Sequence, residues 1–80
     1  MGIKKAATLR IKNLCKDRNI KLNELANLSG VTPSTVYSMF DDDRNDVGIV
    51  AIKKLCDGLE ISITEFFDDD IFKNLEQEIE

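Results

Sequence analysis

Apolar residues recur along this chain at helical intervals, and polar clusters or turn-forming residues separate the runs. Ile3, Ala7, Ile11 and Leu14 follow one another at spacings of four, four and three, which is the core-facing stripe of an amphipathic helix. A first helix is therefore expected over residues 3–17, ended at Arg18-Asn19. Ile20 is an isolated apolar residue, suited to plug the core between two helices. A second helix is expected over residues 22–28, with Leu25, Ala26 and Leu28 facing inward. Ser29-Gly30 closes it, because Gly best accepts the left-handed conformation just past a helix end. Val31 is a second plug. Thr32-Pro33 is the clearest boundary: Thr caps a helix with its hydroxyl, and Pro suits the first helical position. The third helix thus starts at Pro33 and runs to Phe40, with Val36, Met39 and Phe40 inward.

Residues 41–46 are polar without periodicity and read as a loop. Gly48 opens a fourth helix whose stripe is Ile49, Ile52, Leu55, Cys56 and Leu59. Ser62-Ile63-Thr64-Glu65 has the spacing of a capping box, in which the serine hydroxyl and the glutamate carboxylate each serve a free backbone N–H. A fifth helix carrying Phe66 and Phe67 follows. Beyond the acidic triplet Asp68-Asp69-Asp70, the tail sets Ile71, Phe72, Leu75 and Ile79 at helical spacing. That pattern allows a short sixth helix, packed back onto helix one or five or used as a dimer contact. The expected organisation is one domain over residues 1–67 and an acidic C-terminal tail over 68–80.

Eighty residues at 42% hydrophobic composition suffice for a single core. The two cysteines, Cys15 and Cys56, occur without any histidine, so four ligands for a structural zinc are not available. Both read as buried, reduced thiols of a cytoplasmic protein. No apolar run approaches the roughly 20 residues that span a bilayer, and Ala6 stands where an N-myristoylation signal needs Ser or Thr. The expectation is a soluble chain without membrane attachment. The net charge of −4 opposes nucleic-acid binding until its distribution is considered. Residues 1–40 hold seven bases against two acids, whereas residues 41–80 hold four bases against thirteen acids. One half suits an anionic partner; the other suits water or a basic partner.

Short helix, Gly turn, apolar plug and a second helix opened by Thr32-Pro33 make up the helix-turn-helix arrangement, in which the second helix enters the major groove. Taken alone, this pattern also occurs in bundles of other function. The segments LRIKNLCKDRNIKLNELANLSGVTPSTVYSMF and AIKKLCDGLEISITEFF, however, resemble the first three helices and the last two helices of the Cro and repressor family of regulators, often called the XRE family. Leu25-Ala26, Gly30-Val31, Ser34-Thr35-Val36 and the run from Leu59 to Phe66 carry the likeness, which covers most of the chain. It implies an all-α fold, a five-helix bundle of the lambda-repressor-like DNA-binding type.

Carried over by position, the resemblance puts Pro33, Ser34, Tyr37 and Ser38 on the groove-facing side of helix three, and Lys21 and Leu22 near the phosphate backbone. Thr32, Thr35, Arg44 and Asn45 complete the expected DNA-contact set. Ser34 and Ser38 offer donors and acceptors, and Tyr37 a hydroxyl and a ring. Helix three has no Arg, Gln or Asn for a bidentate base contact, which shifts weight to shape and backbone readout.

Three departures from the family pattern matter. Lys21 and Leu22 stand where relatives often have a small polar cap followed by Gln, so a frequent phosphate contact is lost unless Lys21 replaces it by charge. The loop after helix three carries Asp41, Asp42, Asp43 and Asp46 against Arg44, and weakens binding if it approaches DNA. Cys15 and Phe40 occupy the places of an arginine and a glutamate that relatives pair. Both have become apolar together, so they are expected to pack near one another, avoiding an unpaired buried charge.

The leading expectation is sequence-specific binding of double-stranded DNA as a transcriptional regulator, acting as a homodimer on half-sites about one helical turn apart. The competing expectation is a protein-binding module, antitoxin-like or an adaptor, whose acidic half docks a basic partner. An enzyme is not expected: with no histidine, no Gly-rich phosphate loop and no nucleophile beside a base, nothing meets the needs of covalent or metal catalysis. No cofactor, metal or small-molecule ligand is called for.

Overall fold

A computed structural model describes residues 1–43 and 46–79. Among these residues five α-helices follow in order: α1 (Ile3–Arg18), α2 (Leu22–Ser29), α3 (Pro33–Met39), α4 (Ile49–Leu59) and α5 (Ile63–Phe67), with a 3-10 turn at Asp70–Phe72. No strand occurs among the described residues.

Three of the helices stop by the same local device. Asn19, Gly30 and Glu60 each take a left-handed conformation, with φ of 55°, 69° and 59°. In each case the next residue is apolar and its N–H reaches back to a carbonyl of the last turn: Ile20 to Cys15 at 3.0 Å, Val31 to Ala26 at 3.1 Å, and Ile61 to Cys56 at 3.0 Å. This is the Schellman ending, which satisfies orphan carbonyls and turns an apolar residue back onto the helix just finished. Ile20, Val31 and Ile61 accordingly lie in or against the core. Helix starts are fixed by side chains at two places: Thr35 N–H donates to Thr32 Oγ1 at 3.3 Å, and Glu65 N–H donates to Ser62 Oγ at 3.0 Å.

α2 lies at the centre, packed on α4 and α3 and touching α1. The fully buried side chains include Ile11, Leu25, Val36, Leu55, Leu59 and Phe66, so every helix sends at least one residue into the same core. Such a shared core resists moving one helix without disturbing the others. Cys15 and Cys56 are buried free thiols within it. Phe40 is half-buried against the same cluster. The Lys12 ammonium sits 5.2 Å from the centroid of its ring, a cation–π contact at the edge of the core.

Three inward assignments are corrected. Leu28 is 57% exposed, Ile49 is 64% exposed, and Ile3, at the first position of α1, is 38% exposed. At the end of α2 it is Ser29 that faces α4: a Cβ built on Gly58 would stand 2.2 Å from Ser29 Oγ and 3.0 Å from Ser29 N. Helices that approach so closely have room for small residues only, and Leu28 is turned outward. Ile49 sits on the first turn of α4, before that helix reaches the centre, and the inward stripe begins with Ile52.

The tail forms no sixth α-helix among the described residues; after the turn at Asp70–Phe72 it has no regular structure. Phe72 joins Phe66 and Phe67 in an aromatic trio with centroid separations of 4.9 to 6.0 Å. Beyond it the chain runs back to the amino terminus, where Glu76 N–H donates to Met1 O and the Met1 ammonium pairs with Glu76, both at 3.1 Å. Arg10 ties this region to α1, donating to the carbonyls of Phe66 at 2.8 Å and Glu65 at 3.0 Å and pairing with Asp69 at 3.2 Å. Ile79 remains 85% exposed. Of the tail residues considered for a dimer contact, Phe72 is therefore already packed inside the monomer.

Candidate nucleic-acid interface

α2, the left-handed Gly30, Val31 and α3 form the helix-turn-helix. Val36 and Met39 anchor α3 in the core, and this leaves Thr32, Pro33, Ser34, Thr35 and Tyr37 exposed and Ser38 half-exposed. Tyr37 shows 52% of its surface. One short helix thus presents a Pro ring, a phenol and several hydroxyls on a single outward side.

The hydroxyls are not independent. Thr32 Oγ1 lies 3.1 Å from Ser34 Oγ and 3.0 Å from Thr35 Oγ1 while it accepts the Thr35 N–H. Ser38 Oγ donates to the carbonyls of Ser34 at 2.8 Å and Thr35 at 3.1 Å. Its proton is thereby turned into the helix, and its lone pairs are what remain for a ligand. The sequence shows the hydroxyl and not this orientation.

Beside α3 runs a cleft of about 390 Å³ lined by Lys12, Cys15, Lys16, Ile20, Lys21, Leu22 and Tyr37. Lys21 precedes α2, whose start has no side-chain cap, so three lysines and the beginning of α2 border one opening next to α3. Oriented N–H groups and ammonium groups together favour an anion such as phosphate. Lys12 and Lys16 were absent from the expected contact set. They lie one helical turn apart on the solvent side of α1, and only the fold shows that this side adjoins Tyr37.

At the other end of α3 the charge reverses. Asp41, Asp42 and Asp43 are exposed, and the Asp43 N–H donates to Asp41 Oδ1 at 3.0 Å. Lys4 donates to the Asp41 carbonyl, which fastens this turn to α1. Arg44 and Asn45, also expected to contact DNA, lie outside the described residues.

This geometry is matched by known proteins. The family described as the Cro/C1-type HTH DNA-binding domain matches residues 10–70. The chain belongs to this family. A solved structure, titled "Crystal structure of the prophage Lp1 protein 11", superposes with a TM-score of 0.82 at 29% identity, covering 94% of this chain and 100% of that one. No curated protein matches the chain.

The Cro/C1-type family is one of DNA-binding domains rather than of catalysts. Among the described residues there is no grouping of His, Cys, Asp or Glu able to hold a metal ion. No helix of the described residues is long and apolar enough to cross a membrane.

Proposed function

We propose that this Cro/C1-type domain binds double-stranded DNA in a sequence-dependent way and regulates transcription by occupying its site. The observation that carries this reading is the pairing of an exposed, hydroxyl-bearing α3 with the Lys12, Lys16 and Lys21 cleft at its side. In this reading Pro33, Ser34, Tyr37 and Ser38 face the base edges. Thr32 and Thr35 hold the start of the helix, and Lys21, Leu22, Lys12 and Lys16 follow the phosphates. Phosphate contacts fix register, and base contacts select sequence.

The same reading makes the bound form a homodimer on half-sites about 34–36 Å apart, since one recognition helix of seven residues covers few base pairs. The exposed Ile49 and Val50 supply apolar surface for association. Selection of bound duplexes from a randomised library at low salt tests the proposal. It expects an enriched site with two-fold symmetry, and recovery of no preferred duplex contradicts it.

A second reading has its own observation. The exposed run Asp41, Asp42, Asp43 at the end of α3 suits a basic protein surface, as in an antitoxin-like or adaptor module. It predicts retention of a basic protein under conditions where duplex DNA is not retained.

A further inference from the structure

The apolar groups exposed on α3 assign a base preference. We infer that the recognition helix selects A·T pairs by taking thymine methyls against Pro33 and Tyr37, with the lone pairs of Ser38 accepting from the amino group of the adenine opposite. This inference rests on the DNA-binding reading and adds to it the chemistry of the preferred half-site.

Few donors and two exposed apolar rings characterise this face. α3 carries no Arg, Lys, Asn or Gln, so hydroxyls are its side-chain donors. Ser38 has given its proton to the Ser34 and Thr35 carbonyls. Thr32, Ser34 and Thr35 are linked through Thr32 Oγ1 by two mutual hydroxyl contacts. Two of their three protons are therefore used within the group, and one remains, together with the phenol of Tyr37. The face is rich in lone pairs and poor in protons.

The two kinds of base pair differ on this face by one group. In the major groove a G·C pair presents two acceptors and an amino donor; an A·T pair presents two acceptors and an amino donor as well, and adds a methyl group. The remaining hydroxyl proton and the Tyr37 phenol meet the acceptors of either pair, and Ser38 accepts from the amino group of adenine or of cytosine. The thymine methyl alone gains apolar contact from the exposed Pro33 ring and Tyr37.

The test starts from duplexes retained by the intact chain from a randomised library. In the best of them each thymine is replaced, one at a time, by deoxyuridine, which removes only the 5-methyl group. The inference expects A·T pairs at the centre of each half-site and a loss of about 3–5-fold in affinity for each contacted methyl removed. It also expects that loss to fall toward onefold for Tyr37→Ala at the thymine Tyr37 touches. The deoxyuridine series needs no variant, so it decides the matter even if Tyr37→Ala folds poorly. Guanine at the half-site centre overturns the inference, as does equal affinity for the thymine and deoxyuridine duplexes; salt-sensitive binding would then persist, leaving the DNA-binding reading in place. Retention of no duplex at low salt overturns both.

Discussion

Gly58 offers a direct test of how the helix-turn-helix is held, because it stands where α4 meets the end of α2. Gly58→Ala adds one methyl to a helical position, a change that by propensity alone favours the folded state by about 1 kcal/mol. The structure predicts the opposite sign. The new Cβ would lie 2.2 Å from Ser29 Oγ, 3.0 Å from Ser29 N and 3.1 Å from the Leu28 carbonyl carbon. The first contact can be relieved by rotating a hydroxyl; the other two are with backbone and require α2 to move. Overpacking of a close-packed contact costs about 1–3 kcal/mol, which matches or exceeds the propensity gain. A net loss of up to about 2 kcal/mol follows, a fall in Tm of up to about 16 °C for a domain of this size. Ser29 Oγ is buried with no hydrogen-bond partner, so Ser29→Ala alone should be neutral or mildly stabilising. The double variant should recover part of the loss and not all of it, since the backbone contacts remain. Urea denaturation followed by circular dichroism measures all three. A Gly58→Ala protein more stable than the parent would refute the close approach of α2 and α4 and the account of why Leu28 faces outward.

Further expectations concern single residues. Glu60 holds φ 59° at the end of α4, a conformation that strains any side chain, and Glu60→Gly should stabilise by about 0.5–1 kcal/mol in the same denaturation assay. Arg10 is 14% exposed in its side chain and serves two carbonyls and Asp69, so Arg10→Ala should cost about 2 kcal/mol; a change within error would show the tie to be idle. Burial pushes the Cys15 and Cys56 thiols above their ordinary 9.0, with Arg18 opposing this at Cys15, and Lys53 and Arg10 opposing it and Asp57 adding to it at Cys56. The unfolded chain's thiols therefore ionise first. The stability they allow is intact below roughly pH 8.5 and declines as pH rises through the folded values, so urea midpoints should fall between pH 7.5 and 9.5 and fall less in a Cys15→Ala/Cys56→Ala protein. Iodoacetamide should label both cysteines slowly until denaturant is added.

Local chemistry made the helix boundaries legible. Thr32-Pro33, Ser29-Gly30 and Ser62 each determine their own short segment, and their caps are found where the residue types require them. Periodicity failed where a third element decides which side of a helix is covered. Leu28 has the spacing of a core residue, yet the space is taken by the close contact of Ser29 with Gly58. Ile49 continues a stripe that reaches the centre only at Ile52. The tail had apolar residues at helical spacing, but Phe72 finds its partners in Phe66 and Phe67 and the chain then turns toward Met1. At the site, the residue types of α3 were readable, and the hydrogen bonds of their hydroxyls were not, since these depend on which carbonyl or hydroxyl each one meets. Lys12 and Lys16 were visible as charge on α1; that they border α3 is a property of the packing.

The most direct test of the central claim is the salt dependence of affinity for a selected duplex, compared between the parent chain and a Lys12→Ala/Lys16→Ala/Lys21→Ala protein. Each lysine that follows a phosphate releases about one counterion. The parent should show a steep fall of log affinity with log salt, and the triple variant a slope shallower by about three with weaker binding across all sequences. Equal slopes for the two proteins would contradict the placement of this cleft on the phosphate backbone, and with it the presentation of α3 to the major groove.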